Sequence, residues 1–507
     1  MSESFHLRFS CRGAGGQIQI EAQRQDEWGE RMKFGTSGLR GLSVDLEGPV
    51  SGAYAAAFGR YLLESGQAKQ GSEILLAKDF RPSSPAIASN CSAALSGLGF
   101  RVVDCGELPT PALALYGLKR GAASLMITGS HIPADRNGIK FYRPDGEIDK
   151  QDEQAISALA AQASNVHPTS LSPADHSREC LALFRDRNIA LLPQNALEGL
   201  RIGVYQHSTV ARDLLVDVLR FYGADVMALG RSQTFIPVDT EAVSADTINA
   251  LRQWSTEFEL DAIVSADGDG DRPLVADEAG LPLRGDLLGL IAANFFRADV
   301  VVTPLTSNSG IEAAGSFAVT RTRVGSPYVI AAMQEAVAAG RHGVMGFEAN
   351  GGVLTASDFQ VNGQVFCALP TRDCFLPILA VLALRVDRGL PLSKIAAQFA
   401  LPVAASDRLE NFPAESSAAL MAHLRADRGN LELFLEPIGR IEETSDIDGL
   451  RVALDDGRII HFRPSGNAPE MRCYVEAKDA SAADALLRAG LERIGQWAHE
   501  HGGADAL

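Results

Sequence analysis

Short apolar runs and longer stretches of helical spacing alternate over the first four hundred positions. Glu73–Lys78, 101–105 and 122–128 are nearly continuous apolar runs, which predicts buried strands. Between them, residues 49–66 and 84–98 repeat apolar and small residues at helical spacing. The pattern resumes with strand 201–205, helix 208–222, strand 225–229 and strand 261–266. It resumes again with strands near 299–304, 317–323 and 343–346 and helices over 327–339 and 371–388. Such alternation predicts βαβ units around mixed or parallel sheets. Residues 169–195, punctuated by Pro173 and Pro193, read as irregular. From about 401 the style changes. Leu450–Leu454, an Asp455-Asp456-Gly457 turn and 458–462 predict a hairpin, and 481–499 predicts a closing helix.

At 507 residues the chain is too long for one core. Its 46% hydrophobic and 21% charged content is that of a soluble globular protein, and no apolar run is long enough to span a membrane. A net charge of −17 argues against a non-specific nucleic-acid binder, so any phosphate site must concentrate its Arg and Lys locally. The seven cysteines are dispersed without a CxxC pair, which indicates neither a disulfide scaffold nor a zinc site and fits a cytoplasmic protein. Residues 1–31 are polar and unlike a secretory signal. They are expected to be a flexible extension or an upstream misassigned start, with folding from near Met32.

Candidate chemistry concentrates in five stretches. TGSHIPADRNGIKFY (128–142) puts Ser130 just past an apolar strand, beside His131 and ten residues before Lys140. Open α/β sheets hold their ligands at such strand ends, although Gly, Ser and Pro also make ordinary turns. DGDGDR (267–272) spaces Asp267, Asp269 and Asp271 so that a loop can curl three hard oxygen ligands toward one Mg²⁺. An EF-hand is excluded, because Arg272 stands where the sharp-turn glycine is needed and a strand precedes the loop. An acidic surface turn is the plain alternative, but clustered carboxylates repel unless a cation or Arg272 offsets them. RPSGNAPEMR (463–472) carries Arg463, Ser465 and Asn467 around Gly466, the parts of a phosphate cradle or of a simple turn. GFEANGG (346–352) presents Glu348 and Asn350, suited to sugar hydroxyls, on a glycine loop. FGTSGLRG (34–41) carries Ser37 and Arg40 without a P-loop ending. Ser130, Asp267 and Glu348 each follow a short apolar strand, so three α/β units could aim their strand ends at one cleft.

These five motifs, in this order and approximate spacing, resemble the α-D-phosphohexomutase family from about residue 32 onward. That family includes phosphomannomutases, phosphoglucomutases and phosphoglucosamine mutases. The resemblance implies an α/β fold: three similar α/β domains with mixed sheets, and a smaller C-terminal α+β domain closing a central cleft. The expected boundaries are 32–175, 176–283, 284–400 and 401–507. By the same resemblance Ser130 matches the phosphoserine and a metal contact, and Asp267, Asp269 and Asp271 match the Mg²⁺ ligands. Arg40 and Lys140 match groups near the transferred phosphoryl, and His131 stands beside the serine as a further catalytic candidate. Glu348 matches a sugar-hydroxyl contact, with Asn350 on the same loop and Arg323 a neighbour by resemblance as further sugar-binding candidates. Arg463, Ser465, Gly466, Asn467 and Arg472 match the loop holding the distal phosphate. Two loops depart from the common pattern, at three positions. Many relatives carry Glu-x-Ser-Gly-His in the sugar loop, where this chain has Asn350 and Gly352, and Asn467 stands where Thr is usual. The first change removes an acid/base candidate and leaves Lys140, Arg40 and His131 to share its work. GFEANGG itself is more like the sugar loop of a phosphomannomutase subgroup.

The implied reaction moves phosphate between O6 and O1 of a hexose through phosphoserine and a hexose bisphosphate, which also serves as activator. Lys140 is expected to take the hydroxyl proton if neighbouring cations lower its pKa. The expected partner is a phosphosugar rather than a nucleic acid or a membrane, and the chain is expected to be a monomer or homodimer. A Mg²⁺-dependent phosphatase with a seryl-phosphate intermediate would share the serine and acidic loop but needs no second phosphate site. A catalytically dead sugar-phosphate binder is disfavoured by the intact serine and aspartates.

Overall fold

The computed structural model describes residues 32–35, 38–162, 173–465 and 469–501. Four main sheets lie in succession along the chain. The first runs Lys33–Phe34, Leu39–Leu42, Arg136–Arg143, Ala123–Ile127, Glu73–Lys78, Arg101–Glu107, Ala174–Asp175. Its three central strands are parallel, and Arg136–Arg143 returns antiparallel beside Ala123–Ile127. The second sheet orders Asp225–Arg231, Arg201–His207, Ala262–Ala266 and Pro273–Ala276. The third orders Ala318–Thr322, Val300–Pro304, Val344–Phe347, Val353–Thr355 and Leu369–Asp373.

One device recurs in all three. A buried parallel strand ends, and the chain loops back into an antiparallel neighbour: 123–127 into 136–143, 262–266 into 273–276, 344–347 into 353–355. The three connecting loops carry Ser130, the aspartate triad and Glu348. The strands are apolar because both faces are covered, as parallel strands under helices require.

The fourth sheet is wholly antiparallel: Val403–Leu409, Met471–Ala477, Ile459–Pro464, Leu450–Leu454, Ile441–Ser445. Helix Ala480–His501 covers one face through Ala483, Leu486, Gly490 and Ile494. Gly457 closes the Asp-Gly hairpin with φ +83°, a conformation that costs side-chain-bearing residues. One hydrophobic core runs through the first three sheets from Leu75 to Ile395, whereas the fourth keeps its own, from Phe412 to Ala498.

The structure corrects two readings. Residues 169–195 include a helix, Ser177–Ile189, whose stripe of Cys180 and Phe184 is diluted by charged neighbours. The helix read over 371–388 starts only at Phe375. Leu369–Asp373 is a strand paired with Val353–Thr355, and the Asp373 carboxylate accepts from the Phe375 N–H to begin the helix. Among the described residues no helix is long and apolar enough to cross a membrane. Residues 1–31 lie outside those described.

Candidate active site

Ser130 sits three residues beyond strand Ala123–Ile127, nearly inaccessible and at φ +55°, an unfavourable backbone for serine. Bonds supplied from Asp79 and Arg81 offset that cost. The Ser130 N–H donates to Thr128 Oγ1 (2.8 Å), whose hydroxyl donates to Asp79 (2.8 Å). The buried Arg81 guanidinium donates to the carbonyls of Ser130 (3.0 Å), Ile132 (2.6 Å), Pro133 (2.7 Å) and Arg136 (2.9 Å). Its Nε bonds Asp79, and its face lies 4.0 Å from the Phe235 ring centroid. Five charge-assisted bonds hold the serine loop in one shape. Neither Asp79 nor Arg81 was among the sequence candidates. Their only sequence signal is a charged pair at the end of an apolar strand.

Ser130 Oγ lies 2.5 Å from Asp267 Oδ2 and 3.2 Å from His131 Nδ1. Asp267, Asp269 and Asp271 are buried, with ligand-capable oxygens all within 4.8 Å of one another. Asp269 Oδ1 and Asp271 Oδ1 have no hydrogen-bond partner. Buried carboxylate oxygens left bare are costly, and hard oxygens converging this closely suit a divalent cation. The triad can therefore hold a metal ion. Burial and the two neighbouring aspartates push Asp267 well above the carboxylate range. Burial acts on Asp271 too, but Arg372, Lys140 and Arg272 outweigh it and hold that group well below.

Strand Arg136–Arg143 brings Lys140 under the triad, its Nζ 2.5 Å from both Asp269 Oδ2 and Asp271 Oδ2. This corrects the expectation of a lowered Lys140 pKa. Burial does disfavour the ammonium, but Asp269 and Asp271 raise it more. His131 moves the other way: burial, then Arg272 and Arg40, keep its imidazole neutral. Arg272 lies 2.8 Å from His131 Nδ1, and a guanidinium only donates, so that nitrogen carries no proton. Arg40, shifted down to about 10 by burial, Arg272 and Arg372, completes the group.

On the third sheet, Glu348 and Asn350 are both buried on the 346–352 loop. Asn350 Oδ1 accepts the Gly352 N–H (3.0 Å), so part of that side chain shapes the loop. Arg372, also missed in the sequence, donates to Glu348 Oε2 (2.8 Å) and to Asp271 Oδ2 (2.7 and 3.0 Å). The misread helix start concealed it. On the fourth sheet Arg463 pairs with Asp448 (2.9 Å) and Arg472 with Glu470 (2.7 Å). Arg323 donates to the Ile447 carbonyl (3.0 Å), and the Asp448 carboxylate also accepts from the Val324 N–H (2.9 Å). The 446–449 turn thus ties the third and fourth sheets together. Gly466, Asn467 and Ser37 lie outside the described residues.

A cleft of about 1080 Å³ opens between these groups. Arg40, Arg136, Lys150, Arg272, Arg323, Arg425, Arg463 and Arg472 line it against Glu241, Glu348, Asp446 and Asp448. A chain of net charge −17 has gathered its cations here, the charge distribution an anionic ligand requires. Its walls come from all four sheets, with His131 at one end and Ser465 among the residues of the fourth.

Fold and cleft together describe a multi-sheet protein whose cationic cleft can surround an anionic ligand. The chain matches "Phosphoglucomutase/phosphomannomutase, alpha/beta/alpha domain I" over residues 31–167, domain III over 284–401 and the C-terminal domain over 404–490. It is 59% identical to a phosphomannomutase of Sinorhizobium fredii over 90% of this chain and 98% of that one. It is 42% identical to a phosphomannomutase of Salmonella muenchen, over 91% and 95%. A Burkholderia thailandensis phosphoglucomutase/phosphomannomutase family protein shares the fold at 18% identity, with a TM-score of 0.72 over 92% of this chain and 98% of that one. The chain belongs to the phosphoglucomutase/phosphomannomutase family, the α-D-phosphohexomutases.

Proposed function

We propose that the chain interconverts mannose 6-phosphate and mannose 1-phosphate, with Ser130 carrying the phosphoryl group between half-reactions. The observation that carries this reading is the Ser130 hydroxyl 2.5 Å from one carboxylate of the buried triad, with its neighbour His131 lining a cationic cleft that extends to Arg463 and Arg472. Phosphorylated Ser130 gives its phosphoryl to the free hydroxyl of a bound hexose monophosphate: the Ser130 Oγ–P bond breaks as the sugar O–P bond forms, and the proton lost by the sugar hydroxyl ends on Ser130 Oγ. The resulting hexose bisphosphate turns over and returns its other phosphoryl to Ser130. Added bisphosphate activates by phosphorylating Ser130.

The residues divide this work. Asp267, Asp269 and Asp271 would hold Mg²⁺, which would supply charge neutralisation at the transferring phosphoryl. Arg81 keeps the serine loop in its strained shape, and Arg40 and Lys140 add fixed positive charge beside it. Glu348 and Asn350 meet sugar hydroxyls. Arg463, Ser465 and Arg472 hold the non-reacting phosphate and orient the sugar, which converts binding into rate. Gly466 and Asn467 share that role by their place in the loop.

Mannose is preferred because both relatives described above at 59% and 42% identity are phosphomannomutases. Mannose and glucose differ only in configuration at C2, so polar contacts rather than pocket volume must separate them, and the separation is modest unless a C2-specific group is buried. A coupled assay with mannose, glucose and glucosamine 1-phosphates, primed with the matching bisphosphate, tests the reading. kcat/KM is expected to be highest for mannose 1-phosphate. A ratio below one against either competitor transfers the assignment to that sugar, and stoichiometric release of inorganic phosphate replaces the mutase with a phosphatase.

A further inference from the structure

Gly352 is held to glycine by space rather than by backbone conformation. A Cβ added there would stand 2.7, 2.8 and 3.0 Å from Cδ, Cγ and Cβ of Arg372, and its φ is not in the left-handed region. Those are the inner atoms of the Arg372 side chain, so they cannot yield without moving the guanidinium. The position where many relatives place histidine is therefore closed in this chain by an arginine from strand Leu369–Asp373.

That arginine spans two units of the molecule. Its Nη1 donates to Glu348 on the sugar loop, while Nε and Nη2 donate to Asp271 Oδ2 on the triad loop. All three side chains are nearly inaccessible, so the pairings are screened little by water. A planar guanidinium fixes the separation and orientation of two carboxylates in a way a point charge cannot. Asp271 Oδ2 is the oxygen used by Arg372 and Lys140, whereas Asp271 Oδ1 makes no hydrogen bond and has only Arg272 Nε at 3.7 Å. A cation and Arg372 can thus engage the same carboxylate through different oxygens.

We propose that Arg372 is a positioning residue that couples the sugar loop to the metal loop, and that Gly352 stays small to admit it. This rests on the reading of Asp271 as a metal ligand and Glu348 as a sugar contact. The coupling works in both directions, as linkage requires. A cation drawing on Asp271 alters the grip of Arg372 on Glu348, and a sugar engaging Glu348 alters what Arg372 offers Asp271.

Mn²⁺ binding, followed by the EPR signal of the free ion with and without mannose 1-phosphate, tests this without turnover. In the unaltered protein saturating phosphosugar is expected to change Mn²⁺ affinity roughly fivefold or more. In Arg372→Met the change is expected to fall below about twofold, with Mn²⁺ bound more tightly in the absence of sugar because one neighbouring cation is gone. A residue needed only for folding would instead weaken Mn²⁺ binding. Gly352→Ala, which keeps the guanidinium but displaces it, is expected to lose the coupling as well. Arg372→Lys retains the charge without the fork, so sugar-free affinity should hold while the coupling drops. Coupling preserved in Arg372→Met overturns this inference alone. An unaltered protein that binds no Mn²⁺ overturns the metal reading first and this inference with it.

Discussion

The floor and the rim of the cleft handle charge in opposite ways. On the floor Asp267, Asp269, Asp271, Lys140 and Arg372 are all at most 4% exposed; Asp269, Asp271, Lys140 and Arg372 each pair with an opposite charge across a sheet boundary, and Asp267 accepts from Ser130. On the rim the Arg472 side chain is 37% exposed and its partner Glu470 is only two residues away. Arg323 lies open to solvent and bonds a backbone carbonyl. Burial makes the floor's interactions strong and leaves any vacancy in them expensive. Solvent keeps the rim's interactions weak and easily exchanged. On the proposed function, a floor that transfers phosphoryl would gain from dipoles that need not reorganise, whereas a rim that catches and releases phosphate would gain from remaining wet. The cores follow the same division. The three units of the floor share one hydrophobic core, while the rim unit carries its own and meets the third unit largely through polar bonds at Asp448, Arg323 and Glu476.

The largest effect belongs to the floor. Ser130→Ala is expected to abolish mutase turnover, since the proposed route carries the phosphoryl group on the Ser130 hydroxyl, which lies against Asp267. Folding should survive, because the bonds to Thr128 and Arg81 are made by the Ser130 backbone. Near-normal turnover in the purified variant would falsify the phosphoserine route.

Asp269→Asn comes next. It exchanges one anionic ligand for a neutral one and loosens Lys140, so metal affinity and turnover should fall together, by about a hundredfold or more. Equal activity in EDTA and in Mg²⁺ would show that the triad is not a catalytic metal site.

On the rim, Arg463→Ala should act mainly through binding. Loss of a charge-assisted fork costs about 1.5–3 kcal/mol, so KM for phosphosugars should rise roughly tenfold to a hundredfold. Some turnover is lost as well, because the distal phosphate also orients the sugar. Raising ionic strength should raise KM in the unaltered protein while leaving kcat nearly constant, since screening reaches the rim and not the floor. Salt that lowers kcat with KM unchanged would reverse the contrast between the two regions.

What the sequence reveals about this contrast is uneven, for physical reasons. The three apolar strands and the loops after them are legible, because burial on both faces writes itself as continuous apolar runs and the loop residues are chemically distinctive. DGDGDR and TGSHIP could be placed at strand ends from local pattern alone. Arg81 and Arg372 could not. A charged residue reads as exposed until its partners are known, and those partners are 49 to 51 residues away for the carbonyls of Ser130 and Ile132, or 101 away for Asp271. The protonation of Lys140 departs from expectation for the same reason: strand pairing, not sequence neighbourhood, sets it against two carboxylates. The departure at Gly352 is visible in the sequence, but its cause lies across the sheet at Arg372.

The smallest expected effect is on stability, and it compares the two regions directly. Each has a buried, neutral histidine beneath its key loop. His207 Nε2 lies 2.8 Å from the carbonyl of Ala266, the residue before Asp267, and His461 Nε2 lies 2.6 Å from the carbonyl of Asp448. A carbonyl accepts, so both rings carry their proton on Nε2. Burial pushes both pKa values down to about 4, against the 6.5 of a free imidazole. Between these values the unfolded chain takes up protons that the folded chain refuses, so stability falls as pH drops from 6.5 toward 4. Each group contributes about 1 kcal/mol per pH unit between pH 6 and pH 5. His207→Gln and His461→Gln should each flatten the acid slope of the unfolding free energy by that amount, with Gln able to keep the donated bond. The functional consequence differs between the two regions. Acid acting through His461 loosens the turn that holds Arg463, so phosphosugar binding should weaken before the protein unfolds. Acid acting through His207 strains the strand end that carries the triad, so metal binding should weaken instead. Measuring Mn²⁺ and phosphosugar affinities of the two variants between pH 6 and pH 5 separates these routes. If His461→Gln protects metal binding and His207→Gln protects phosphosugar binding, floor and rim are not the independent regions their separate cores imply.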